Sequence, residues 1–166
     1  MRIFLFFFFW FSFFTANTQN CFPERRKDKQ LVQKIEKQIQ KRAFYDALEL
    51  LRKTNDYVIF LALKSEIFWL KADFLNAETA ALEVINVCPD NFPKAYYFLG
   101  DIAYRRKDYV NAEVYLKKSI DLGITDPYYA AVVNLYLKAK VVAEIINNPV
   151  PFSPKLVEGI STQFDE

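Results

Sequence analysis

The sequence predicts an all-α chain built as an array of helical hairpins, and three observations carry that prediction. The hexapeptide Asp73-Phe74-Leu75-Asn76-Ala77-Glu78 returns as Asp108-Tyr109-Val110-Asn111-Ala112-Glu113, 35 residues later (108 − 73 = 35), with its apolar and small positions kept. A fixed period of this length is the mark of stacked repeats. The seven prolines, Pro23, Pro89, Pro93, Pro127, Pro149, Pro151 and Pro154, all fall where a helix is expected to start or stop. Between them apolar residues recur at about 3.6 residues, as in Leu61, Ile67, Phe68 and Leu70 or Leu99, Ile102 and Ala103, and only three glycines occur.

The chain opens on a segment that is set aside before fold reasoning. Arg2 is followed by Ile3 to Phe14, apolar except for Ser12, and then by polar Thr15 to Asn20. A bilayer span needs about 20 apolar residues, so the run is short for an anchor and suits the core of a secretory signal, assigned to residues 1–20. The expected address is therefore beyond the inner membrane of a bacterium, in the periplasm or at the outer membrane. Cys21 then sits where a bacterial lipoprotein carries its acylated cysteine, although Thr18-Gln19-Asn20 departs from the usual tripeptide before it. Acylation would tether the chain to the membrane; a free thiol, or a disulfide with Cys88, the other cysteine, is the alternative. Residues 21–28, with Arg25-Arg26-Lys27, read as a linker.

Residues 29–148 form the expected repeat domain. The first hairpin is weak, with helices near Lys29 to Lys41 and Phe44 to Thr54, an apolar stripe of Leu31, Ile35 and Ile39, and Ala47 at the small position. The second runs from Val58 to Asn91, with Leu61, Ser65, Phe68, Trp69, Asp73-Phe74, Ala77, Ala81 and Val84. The third, Pro93 to Asp126, is the best: Tyr96, Leu99, Gly100, Ala103 and Tyr104 precede Asp108-Tyr109, and Ala112, Leu116 and Ser119 follow. Gly100 and Ala112 are expected at the closest approach of the two helices, with Tyr96 and Leu116 filling the flanks. Tyr128 to Lys138 and Lys140 to Asn147 read as a degenerate fourth hairpin with Ala130, Ala131 and Ala143 as its small contacts.

These residues resemble the tetratricopeptide repeat, which implies a tetratricopeptide-like α-solenoid of about three to four hairpins. In that family the first helix of each hairpin lines an inner groove. The resemblance then implies that Glu66, Trp69, Leu70, Lys94, Tyr97, Asp101, Tyr104 and Arg105 face inward here, where a peptide segment or partner helix would bind. Tyr, Trp and Arg are the residues that usually carry interface energy. Trp69 and Tyr104 can equally be read as packing between repeats.

Composition argues against other function classes. The chain is 52% hydrophobic, enough for a core, and its 22 basic and 20 acidic residues are mixed along the sequence with net charge +2, which is no nucleic-acid footprint. There is no histidine, so the commonest general base and zinc ligand are missing. Two cysteines 67 positions apart (88 − 21 = 67) lack metal-ligand spacing, and isolated glycines form no phosphate loop. The expectation is a non-catalytic protein-binding module that needs no cofactor or metal.

Residues 149–166 change character. Pro149, Pro151 and Pro154 make an extended linker, and although Ser153-Pro154 fits the start of a short helix through Phe164, Gly159 and Ile160-Ser161-Thr162 favour an extended segment. With the secretory start, the basic run and the hairpins, this tail resembles the N-terminal region of envelope proteins that join tetratricopeptide repeats to a β-propeller and an OmpA-like domain, some associated with type IX secretion. The sequence reaches Glu166 without either further domain, so peptidoglycan binding is not carried over. Two expectations follow: an interaction module of the envelope, or a structural remnant of a larger protein of that kind.

Overall fold

The computed structural model describes residues 21–54 and 57–149. The expected signal segment and the tail from residue 150 onward lie outside the described residues. Among those described there are seven helices and no strand, as the periodicity predicts: α1 (Arg26–Gln40), α2 (Phe44–Leu51), α3 (Val58–Leu70), α4 (Phe74–Val87), α5 (Pro93–Arg105), α6 (Tyr109–Asp121) and α7 (Tyr129–Asn147). Contacts divide the chain into two compact units at Phe60/Leu61, inside the block 29–148 that the sequence reading treats as one domain.

In the first unit α1 packs on α2, burying Ile35, Ile39 and Ala47, with Leu31 half-buried. α1 begins at Arg26, so part of the predicted linker is helix: Asp28 in its first turn is buried and accepts a 2.8 Å hydrogen bond from Arg25 Nε. α2 stops at Leu51, three residues before the predicted end, where the Thr54 hydroxyl caps the Leu51 carbonyl at 2.7 Å. The Ile59 N–H donates to the Cys21 carbonyl at 3.1 Å.

One joint recurs at three non-glycine residues, and Gly123 (φ 77°) repeats its hydrogen bonds at the end of α6. Arg42, Ala72 and Lys107 adopt left-handed backbone with φ of 59°, 59° and 65°. At each, that residue's N–H bonds to the carbonyl three residues back and the next N–H to the carbonyl five back, for example Lys107 to Tyr104 and Asp108 to Ala103, both 2.9 Å. This is a Schellman motif, which satisfies carbonyls at the end of one helix while turning the chain into the next. In the second and third joints the following aspartate is the N-cap of the next helix. Asp73 accepts from the Asn76 backbone and side chain at 3.4 and 2.8 Å, and Asp108 from Asn111 at 3.2 and 2.7 Å. The Asp and Asn of the hexapeptide are therefore its capping pair, while Ala77 and Ala112 are wholly buried.

In the second unit α5 packs on α4, α6 and α7, and α6 packs on α7. The core there joins Tyr97, Phe98, Ala103, Ala112, Leu116, Ile124, Val132 and Ala139. Gly100 faces Leu116: a Cβ added at Gly100 would stand 2.5 Å from Leu116 Cγ. Ser119, fully buried, holds α6 to the start of α5 by donating to the Pro93 carbonyl at 2.8 Å. The predicted fourth hairpin is corrected. Tyr129 to Asn147 is one continuous helix, because Val132, Tyr136, Ala139 and Ala143 keep an unbroken helical register with no breaker between Lys138 and Lys140. Ala139 and Ala143 are its buried small contacts, whereas Ala130 and Ala131 are exposed.

Candidate functional site

Six of the eight inner-face residues predicted on α3 and α5 meet in one polar and aromatic network. On α5, Lys94, Tyr97, Asp101 and Arg105 are spaced three or four residues apart and share a face. Glu66 and Asp101 occupy equivalent positions in successive repeats (101 − 66 = 35), and each is only 6% exposed. A carboxylate withdrawn from water to that degree requires partners. Glu66 accepts from Lys94 Nζ at 3.0 and 3.1 Å and from the Tyr128 hydroxyl at 2.9 Å. Asp101 Oδ2 accepts from Trp69 Nε1 and from Arg105 Nε, both at 2.8 Å.

Aromatic rings fill the space between the two ion pairs. Trp69 stacks on Phe98 with centroids 5.0 Å apart and tilts against Tyr97 at 5.2 Å, while Tyr97 lies 5.5 Å from Tyr128. Lys94 Nζ also stands 5.2 Å from the Tyr128 ring centre, and Arg105 Cζ stands 4.9 Å from that of Phe74. Burial, with Asp101 adding to it, pushes the Tyr97 phenol up to about 12. The Tyr128 phenol is pushed higher than its ordinary value by burial and by Glu66. Both hydroxyls are neutral at physiological pH.

Six of the eight predicted groove residues, Glu66, Trp69, Lys94, Tyr97, Asp101 and Arg105, thus belong to a single arrangement. Tyr104 stands apart: it is edge-on to Tyr109 at 5.2 Å and borders a shallow depression of about 430 Å³ with Asn134, Leu137, Lys138, Val141 and Val142. Leu70, the last residue of α3, is half-buried. Sequence reasoning missed Tyr128 and Phe98. Phe98 carries no signal distinguishing it from core, and Tyr128, the residue that caps α7, reaches Glu66 only because the chain folds back over a separation of 62 positions (128 − 66 = 62).

Cys21, the predicted lipidation residue, lies in the first unit. Both cysteines are disulfide-bonded and neither is free, which is the alternative that the sequence left open; a sulfur in a disulfide cannot carry a thioether-linked lipid at the same time. Among the described residues no helix is long and apolar enough to cross a membrane, and no three of His, Cys, Asp and Glu gather as a metal site. Compared with protein-family models, with curated proteins and with solved structures, the chain gives no match.

Proposed function

We propose that the chain is a non-catalytic protein-binding module of the tetratricopeptide kind, and that the face formed by α3 and α5 docks an acidic peptide segment of a partner in the bacterial envelope. The observation that carries this reading is a pair of anchored cations. Lys94 and Arg105 are 48% and 54% exposed at their side chains, yet each is held by a buried carboxylate. Anchoring removes much of the rotamer entropy that a free lysine or arginine would lose on binding. Arg105 spends only Nε on Asp101, so its terminal amino groups remain for a ligand. The two cations are eleven positions apart on α5 (105 − 94 = 11), about 16 Å at helical rise. An extended peptide covers that distance in about five residues.

The address and lineage are part of the same proposal. A secretory leader over residues 1–20 and a disulfide both suit an oxidising compartment outside the cytoplasm. Association with type IX secretion rests on the resemblance of the repeats, basic run and proline-rich tail to the larger envelope proteins described above. Mass spectrometry of the mature N-terminus tests this, since a disulfide-bonded Cys21 and an acylated one differ in mass.

The decisive experiment captures partners from envelope fractions with the full chain and with Lys94→Ala/Arg105→Ala. A partner recovered by the wild type and lost, at unchanged helicity, from the double variant supports the face. Equal recovery by both would sink it and leave Glu66, Trp69 and Asp101 with a structural role alone.

A further inference from the structure

α7 is apolar on two opposite faces, and its contacts with the core use one. Val132, Ala139 and Ala143 are buried, with Leu135 and Tyr136 packed against the same core. At about 100° per residue, Leu137, Val141 and Ile145 fall on the far side of the helix, and they are 55%, 58% and 62% exposed. Leu137 and Val141 also line the depression of about 430 Å³ bordered by Tyr104. A helix at the edge of a core normally turns polar residues outward, so three large aliphatic side chains at i, i+4 and i+8 mark a docking face.

The hairpins of the chain show what such a face accepts. α1 packs on α2 and α5 on α6 after connections of three residues (43 − 40 = 3 and 108 − 105 = 3), short enough to make each pair antiparallel. Among the described residues no helix follows α7 to cover it in that way. Charge then selects the occupant. Lys140 and Glu144 are exposed, fall together on one flank of the stripe, and make no side-chain ion pair among the described residues. When a second α7 is laid antiparallel on the first with a two-fold axis at Val141, Leu137 meets Ile145 of the copy, since each is four residues from Val141 (141 − 137 = 4 and 145 − 141 = 4). In that register Lys140 and Glu144 of the copy share a flank, offset by about 3 Å along the axis, and the symmetry provides this ion pair twice. On the other flank Lys138 can lay its apolar stem along Val142 of the copy.

We infer that two copies of this chain pair through α7, antiparallel, each supplying the neighbour that the exposed stripe of the other accepts. The stripe runs about 12 Å, a small interface, so the pair is reversible and depends on concentration. It uses none of the α3 and α5 residues assigned to peptide docking, and the two readings are tested separately.

Both native cysteines are already paired, so single introduced cysteines report the register. Under mild oxidation of the full chain, Val141→Cys should cross-link to its own copy at least about tenfold faster than Val114→Cys, a 60% exposed position on α6, because thiols held in one pair react at millimolar effective concentration. Leu137→Cys mixed with Ile145→Cys should cross-link between the two variants, and neither should do so alone. Lys140→Glu should slow the Val141→Cys reaction at least about tenfold by setting like charges together, and mixing that chain with Glu144→Lys/Val141→Cys should restore it. Equal rates at positions 141 and 114 overturn the inference in favour of another occupant. Self-linking of Leu137→Cys, or a charge-swapped mixture that stays slow, overturns it as well.

Discussion

Replacing Gly100 by alanine tests the closest approach of α5 and α6. At an open helical site the change would gain about 1 kcal/mol, because alanine is the better helix former. At Gly100 the new Cβ would meet Leu116 Cγ at 2.5 Å, Cδ2 at 2.8 Å and the backbone nitrogen at 3.3 Å, whereas carbon pairs rest best at about 3.5–4.0 Å. Leu116 is fully buried, so its side chain can move only by displacing packed neighbours, and its backbone moves only with α6. Relief requires the two helices to part by about 1 Å, which forfeits a quarter to a half of the dispersion energy of the separated contacts. Overpacking of this kind costs about 1–3 kcal/mol and outweighs the propensity gain. Gly100→Ala is expected to be destabilised by about 2 kcal/mol, on the order of 30-fold in the unfolding equilibrium. Urea unfolding followed by circular dichroism should show a midpoint lower by roughly 1 M at unchanged slope. The double variant Gly100→Ala/Leu116→Ala should lose less than the two single losses combined, since the second change makes room for the first. A midpoint at or above that of the wild type would refute the packing argument.

Ser65 is the repeat equivalent of Gly100 (100 − 65 = 35), and its fully buried hydroxyl has no hydrogen-bond partner among the described residues. Ser65→Ala should therefore raise stability by about 1 kcal/mol; a clear loss in the same urea assay would mean the hydroxyl is satisfied. Lys107→Gly and Ala72→Gly, at left-handed joints, should each gain about 0.5–1 kcal/mol after glycine's own entropy is offset. Gly123→Ala, with φ of 77° and nothing among the described residues within 4 Å of the added Cβ, should lose about 1 kcal/mol through conformation alone. Unchanged thermal midpoints in these three variants would rule out the left-handed joints. At alkaline pH, Tyr97 ionises in the unfolded chain near its ordinary value of 10 but in the folded chain only at about 12. Its folded pKa is raised, so its contribution is fully present below pH 10 and is lost as pH climbs toward about 12. Tyr97→Phe should flatten that part of the stability profile, measured by urea midpoints across the range, and an unaltered slope would contradict the burial of this phenol.

The sequence by itself determined the helices and where most of them begin and end. Pro93, the Asp73 and Asp108 caps, and the 3.6-residue apolar spacing act over a few neighbouring residues, so their consequences are written locally. The inner face of α5 was legible for the same reason: residues three or four apart on a helix must share a side. Tertiary structure decided what that face contains. Whether Glu66 and Asp101 are solvated charges or buried anchors depends on Lys94, Trp69 and Tyr128 arriving from other helices. The continuity of α7 was hidden because two short apolar runs separated by Ala139 look alike whether broken or joined. The buried register of Ala139 and Ala143 against the core resolves them into one helix. Gly100 shows the same division: its smallness is visible in sequence, but the fact that Leu116 presses on it follows from how deeply α6 settles against α5. Local backbone and hydrogen-bond preferences can be read along a chain, whereas packing and desolvation depend on which distant surfaces meet.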